Sequence, residues 1–155
     1  MRIISKNKVA FLNYDIHETF EAWIVLKWFE VKAVKTWKVK ISDSIIRIWK
    51  DQQIYIKNMH IPLYEKTSRN LVPNYEVKRD RKLLMHKKQI KRLGERTHKT
   101  WLVIIPLKIY ENKHKLIKLE IALGKLRKKV EKKQILKERD VQRQAQKDIK
   151  NLTKL

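Results

Sequence analysis

A mainly β fold is what this 155-residue sequence predicts: a small OB-fold-like β-barrel with one or two helices, then a basic C-terminal tail that is helical when bound. Three observations carry that expectation. Short apolar groups rich in β-branched residues alternate at period two, as in SIIRI and QIYIKN. One stretch, RKLLMHKKQIKRLGERT, has helical spacing instead. Beyond Gly124 aromatic, proline and glycine residues stop altogether, and cations dominate.

The elements follow in order. EAWIVLKWFEVKAVKTWKVKISDS, residues 21–44, reads as a pair of strands, with Ile24 and Leu26 on one face of the first. Ile46 and Ile48, then Ile54 and Ile56, mark two more strands, and the intervening KDQ reads as a tight hairpin. Residues 65–80, EKTSRNLVPNYEVKRD, are polar, aperiodic and contain Pro73, so they form a long loop. Leu83, Leu84, Ile90 and Leu93 give the helix, with Gly94 as its C-cap. WLVIIPLKIY (101–110) and HKLIKLEIALG (114–124) return to strand character, joined by a turn at ENK. Five or more strands with one helix between them is the inventory of a closed or nearly closed small barrel.

The domain division is therefore 1–124 for the barrel and 125–155 for the tail. The tail holds 12 Lys/Arg against 4 Asp/Glu. Leu126, Val130, Val141, Ile149 and Leu152 fall loosely on one helical side, with Ile135 off it. So thin a stripe cannot offset the entropy of ordering, so the tail is expected to be mostly disordered alone and helical on RNA.

Charge points to the partner. Lys and Arg number 39 against 16 Asp and Glu, a net +23, and an excess this large calls for a polyanion, with nucleic acid leading. With no cysteine, disulfides, thiolate metal sites and Cys nucleophiles are excluded, and a reducing compartment fits. The longest apolar runs, Trp23 to Leu26 and Trp101 to Leu107, are too short to span a bilayer, which gives a soluble cytoplasmic protein without a membrane partner.

Nothing in the sequence points to catalysis. His17, His60, His86, His98 and His114 are scattered, with no HExxH pattern and no Gly-rich phosphate loop. No catalytic residue, metal ligand or cofactor is expected. The run KRDRKLLMHKKQIKR, from Lys78, carries eight Lys/Arg in fifteen residues. It reads either as a solvated helix face or as a phosphate-tracking surface, and the overall charge favours the second through Arg79, Arg81, Lys82, Lys87 and Lys88. Lys6 and Lys8 form a smaller cluster in KNKVAF. Glu30, beside Lys32 and Lys35, either pairs with a neighbouring cation or accepts hydrogen bonds from RNA.

Taken together, ISKNKVAF, YDIHETFEA, FEVKAVK, KISDS, NMHIPLYEK, RKLLMHKKQIKRL, IPLKIY and ILKERD resemble, in order and over nearly the whole chain, the SsrA-binding protein (SmpB) family. The resemblance implies an OB-like barrel that binds the tRNA-like part of transfer-messenger RNA (tmRNA). It also implies a monomer whose basic tail enters the empty mRNA channel of a stalled ribosome, near the decoding centre, without catalysis. Carried over by position, Glu30 and Lys32 match the family's EVK motif, Asn7 and Lys8 its N-terminal NRK-like motif, and Arg81 and Lys82 its RKLLL motif, although Asp80 stands where proline is usual. In the tail Lys137, Glu138 and Arg139 match the IKER block. Glu131, Lys132 and Lys133 replace DKR, after a gap that is two residues longer. Lys132, Lys133, Lys137 and Arg139 are thus the expected ribosome-contacting residues. The alternatives are a generic OB-fold RNA-binding or ribosomal protein and, less in keeping with the residues, an RNA-modifying enzyme.

One feature fits none of this. The chain has five Trp and two Gly, against a usual glycine share of ~7%. Trp23, Trp28, Trp37 and Trp101 stand where the resembled pattern has glycine, and Trp49 lies beside a one-residue insertion at a hairpin. Two readings are open: RNA-stacking tryptophans, or glycines encoded by UGA, a codon some bacteria read as glycine and others as tryptophan. On the second reading, the indoles should lie exposed at turns or strand ends.

Overall fold

The computed structural model describes residues 1–153. The chain begins with β1 (Arg2–Lys6), turns through the short α1 (Lys8–Asn13), and enters the long strand β2 (Tyr14–Ile24). Asn7 starts α1 because its side-chain oxygen accepts the Ala10 N–H at 3.0 Å, satisfying one orphan donor of the first turn.

The segment after β2 departs from the expected strand pair. WFEVKAVK forms a helix, α2 (Trp28–Lys35). Phe29, Glu30, Ala33 and Val34 fall on one helical face and are buried. The Glu30 carboxylate accepts the Lys27 N–H at 2.8 Å, closing the N-terminus. That tertiary face overrides the strand preference of the two valines.

β3 (Ile45–Ile48) and β4 (Ile54–Lys57) form the expected hairpin, in register Ile46↔Ile56 and Ile48↔Ile54. The long loop contains only one 3-10 turn, Arg69–Leu71. Next, Arg81–Leu84 is a strand, β5, and the helix α3 begins only at Lys87 and runs to Thr100. Gly94 therefore lies inside α3 instead of capping it, and the chain leaves the helix at Trp101 in the left-handed region. β6 (Val103–Glu111) and β7 (Ile117–Leu126) close the domain, and α4 (Lys129–Leu152) follows.

The seven strands make one antiparallel sheet in the order β1-β6-β7-β2-β5-β4-β3. It rolls until β3 lies against β6, but no strand ladder joins them. The barrel is OB-like and open at that seam. Inside the roll, Ile54, Ile56, Met59, Ile61, Leu83, Leu93, Ile109, Leu119 and Ile121 are almost wholly buried. A smaller cluster, Ala10, Ile105, Leu107 and Ala122, seats α1 on the other face. Gly124 serves the roll by close approach: a Cβ there would stand 2.8 Å from Ile105 Cδ1 and 3.2 Å from the Asp15 carbonyl oxygen.

β7 runs past Gly124 to Leu126, and the Arg127 N–H bonds to the Asn13 carbonyl at 2.8 Å. Beyond it, α4 is a single helix of 24 residues with none buried. The tail thus takes the helical form expected of it on RNA. Its length exceeds the ~12–15 residues below which isolated helices are marginal. The Lys128 N–H bonded to Glu131, and Gln134–Glu138 and Gln144–Asp148 four apart, support it locally.

Candidate RNA-binding surface

A buried carboxylate organises one end of the sheet. Glu30, on the inner face of α2, has no exposed surface. Its Oε1 accepts Arg79 Nε and Arg81 Nε, each at 2.9 Å, and its Oε2 accepts Arg79 Nη2 at 2.5 Å. Arg81 is equally buried, and its remaining donors reach the carbonyls of Met59 (2.6 Å) and Val77 (3.0 Å). The Tyr75 hydroxyl accepts from Arg81 Nη2 at 3.1 Å and lies 2.8 Å from the Ile61 carbonyl oxygen. One carboxylate thus ties together α2, β5, the segment after β4 and the end of the long loop.

The titration behaviour follows from that packing. Burial would raise the Glu30 carboxyl, but the hydrogen bonds from Arg79 and the Lys27 N–H, with the Arg81 charge, outweigh it and hold the carboxyl below its usual range. Burial, with the neighbouring Glu30 charge, pushes the Tyr75 phenol up to about 12. Two guanidiniums share one carboxylate, so the cluster keeps a formal positive charge. Arg79 alone of the two shows part of its side chain to solvent.

Around this hub the cations stand outside. Lys32 projects from α2 with its ammonium 5.1 Å from the Trp28 ring centroid and 5.8 Å from that of Tyr64. Lys82 alternates outward from Arg81 on β5, and Lys87 and Lys88 are exposed on the first turn of α3. The last two residues of β2 pair with β5, and the Arg92–Glu18 ion pair (2.9 Å) fixes α3 alongside β2. The basic run therefore continues from the hub along β2. Among the described residues, Lys8, Lys32, Lys82, Lys87 and Lys88 enter no ion pair.

The sequence-predicted residues thus separate into two sets. Glu30, Lys32, Arg79, Arg81 and Lys82 come together. Asn7 and Lys8 do not join them, because α1 and α2 flank opposite ends of β2. Three of the expected RNA contacts have their side chains turned inward. Asn7, Glu30 and Arg81 are buried, with their polar atoms spent inside the protein, Asn7 Nδ2 on the Pro106 carbonyl at 3.0 Å. Tyr75 was not foreseen, since it lies in an aperiodic loop where spacing carries no signal. No group of three or more His, Asp or Glu among the described residues is arranged to hold a metal.

The tail leaves from the other end. β7 runs antiparallel to β2, with Leu126 opposite Tyr14, and Arg127 Nε bonds the Tyr14 carbonyl at 3.2 Å. α4 begins there beside α1 and carries Lys132, Lys133, Lys137 and Arg139, with Lys132 only half-exposed. No helix among the described residues is long and apolar enough to cross a membrane.

A rolled antiparallel sheet with an unpaired basic track and a projecting basic helix defines a polyanion-binding protein of the RNA-binding class. Comparison with known proteins gives the family. The "SmpB protein" profile matches residues 4–151, and the chain belongs to that family. It is 41% identical to the SsrA-binding protein of Persephonella marina over 155 residues, covering 100% of this chain and 99% of the relative. Identity with the SsrA-binding protein of Mycoplasma mycoides is 40% over 149 residues, covering 96% of each chain. A solved structure described as "tmRNA-SmpB: a journey to the center of the bacterial ribosome" superposes with a TM-score of 0.65 at 37% identity, covering 81% of this chain and 85% of that one.

Proposed function

We infer that this protein binds the tRNA-like domain of tmRNA and delivers it to stalled ribosomes for trans-translation rescue, acting in the cytoplasm as an RNA-binding factor without turnover of its own. The observation that carries the reading is the full-length likeness to SsrA-binding proteins on a fold that exposes a basic track and a separate basic helix. Arg79, Lys32, Lys82, Lys87 and Lys88 make phosphate and shape contacts to the RNA. Glu30, Arg81 and Tyr75 are positioning residues: they hold Arg79 and the loop before β5 in place. Asn7 sets the start of α1, and Lys8 contacts RNA from the opposite end of β2.

The tail helix is the ribosomal element, and Lys132, Lys133, Lys137 and Arg139 contact the empty mRNA channel and the decoding centre. The test is a competition between the tRNA-like domain of tmRNA and an unstructured RNA of equal length. Preference for the folded RNA supports the reading. Equal affinity would leave a generic OB-fold binder, and turnover of either RNA would make the protein an enzyme.

A further inference from the structure

All five tryptophans lie outside the core. Trp23 is 41% exposed, Trp28 54%, Trp37 56%, Trp49 52% and Trp101 91%, and none belongs to either buried cluster. Tryptophan carries the largest apolar side chain and is highly buried on average, so packing does not account for five out of five on the surface.

The backbone is more specific. Trp37 has φ 66° and Trp101 has φ 55°, both in the left-handed region that crowds a Cβ. Trp37 ends α2 with paired bonds, its own N–H to the Val34 carbonyl at 3.0 Å and the Lys38 N–H to the Ala33 carbonyl at 3.2 Å. That is a Schellman motif, whose left-handed position is ordinarily glycine. Trp101 is the cap residue of α3 and is also left-handed. Meanwhile neither of the chain's two glycines has a positive φ. Gln52, Asn58 and Lys115 also have positive φ, but the two left-handed residues that end helices are both tryptophan.

The other three have ordinary φ. Trp23 is the penultimate residue of β2, paired with both β5 and β7, Trp49 follows the last residue of β3, and Trp28 is the first helical residue of α2. Four of the five indoles have a cation over the ring: Lys118 over Trp23 at 4.7 Å, Lys32 over Trp28 at 5.1 Å, Arg2 over Trp37 at 5.5 Å and Lys57 over Trp49 at 5.6 Å. Exposed rings in a chain with 39 Lys and Arg meet cations without any binding role, and Trp101, the most exposed of the five, is the one outside this set. We propose that Trp23, Trp28, Trp37, Trp49 and Trp101 are glycine in the protein as its source cell makes it, each encoded by UGA and read as glycine. The exchange brings glycine from two to seven and tryptophan from five to none. It places glycine at the end of both α2 and α3, and removes five indoles from the surface.

The codons give the first test. The proposal requires UGA at all five positions, and UGG at any of them overturns it. Mass spectrometry of the native protein then decides the reading, with glycine in the peptides spanning residues 37 and 101 expected and tryptophan overturning the proposal. A third test uses the recombinant chain as written. Trp37→Gly and Trp101→Gly should each raise the melting temperature by roughly 2–4 °C through relief of the left-handed strain. The fivefold Trp→Gly variant should keep full affinity for the tRNA-like domain of tmRNA. A lower melting temperature for both single variants, or a tenfold loss of affinity in the fivefold one, identifies true stacking tryptophans and refutes the recoding.

Discussion

Replacing Glu30 with alanine is the perturbation that most directly separates a surface contact from a buried hub. The carboxylate accepts from Arg79, Arg81 and the Lys27 N–H, and Arg81 is wholly buried beside it. Glu30→Ala leaves Arg81 with carbonyl partners but without a counter-charge. Breaking a buried pair by removing one partner costs about 3–5 kcal/mol. Arg81 keeps its bonds to Met59 and Val77, which places the cost near the lower end, about 3 kcal/mol. A domain of this size shifts by roughly 2–4 °C per kcal/mol, so a drop of roughly 6–12 °C in Tm is expected. Urea unfolding should show a lower midpoint at unchanged slope. Glu30→Met combined with Arg81→Met removes both charges and should recover part of the loss, giving a non-additive double-mutant cycle. An unchanged Tm for Glu30→Ala, with tmRNA affinity lost, would refute the hub and make the carboxylate a direct RNA contact.

Further outcomes follow from the same geometry. The depressed Glu30 carboxyl should contribute stability in full above the unfolded carboxyl pKa of ~4.3, and this contribution should vanish as pH falls through the folded value; Glu30→Gln should flatten that limb of the acid-unfolding curve. The raised Tyr75 phenol has the opposite sign: its contribution is intact below ~10 and lost as pH rises toward about 12, and Tyr75→Phe should remove that alkaline limb. Affinity for tmRNA should fall steeply between ~50 and ~200 mM salt, and Lys82→Ala, Lys87→Ala and Lys88→Ala should each reduce the log–log slope by about 0.7–0.9, as measured by filter binding. Ending the chain at Lys128 should preserve the melting transition and tmRNA binding while abolishing rescue of stalled ribosomes in a reconstituted assay; loss of both activities together would place α4 in the RNA-binding domain.

The strands with clean alternation were legible from the sequence because period two and burial agree there. Ile46, Ile54 and Ile56 are buried at the positions their spacing assigns, and the KDQ hairpin closes between them. The failures are equally physical. FEVKAVK carries two valines that favour a strand, but its face of Phe29, Glu30, Ala33 and Val34 closes only against residues distant in sequence. RKLL reads as helix through the leucine pair, yet Arg81 turns inward to Glu30 and Leu83 into the core, an alternation visible only once an arginine is accepted as buried. Gly94 looked like a helix end because glycine usually is one, while the actual ends carry Trp37 and Trp101. At the site, the sequence marks the cluster of charges but does not show which are spent inside. Pairing of Glu30 with a cation is one of the two readings its neighbours allow, but the partners in the fold, Arg79 and Arg81, lie 49 and 51 residues away, where spacing carries no signal.

That distinction determines what the two ends of β2 can do independently. The hub lies beyond Ile24 and the tail departs beside Tyr14, so the full strand separates them, about 33 Å for its eleven residues at an ordinary rise. At physiological ionic strength the Debye length is ≈ 8 Å, so exposed charges at one end exert little force on those at the other. Coupling between RNA binding and the tail would have to pass through β2 and β7, which are paired along nearly their whole length. A rigid ladder of that kind transmits position and not charge. The sheet acts as a fixed spacer: it sets the distance between the Glu30 hub at one end and the basic helix projecting from the other, whatever happens to the charges of either.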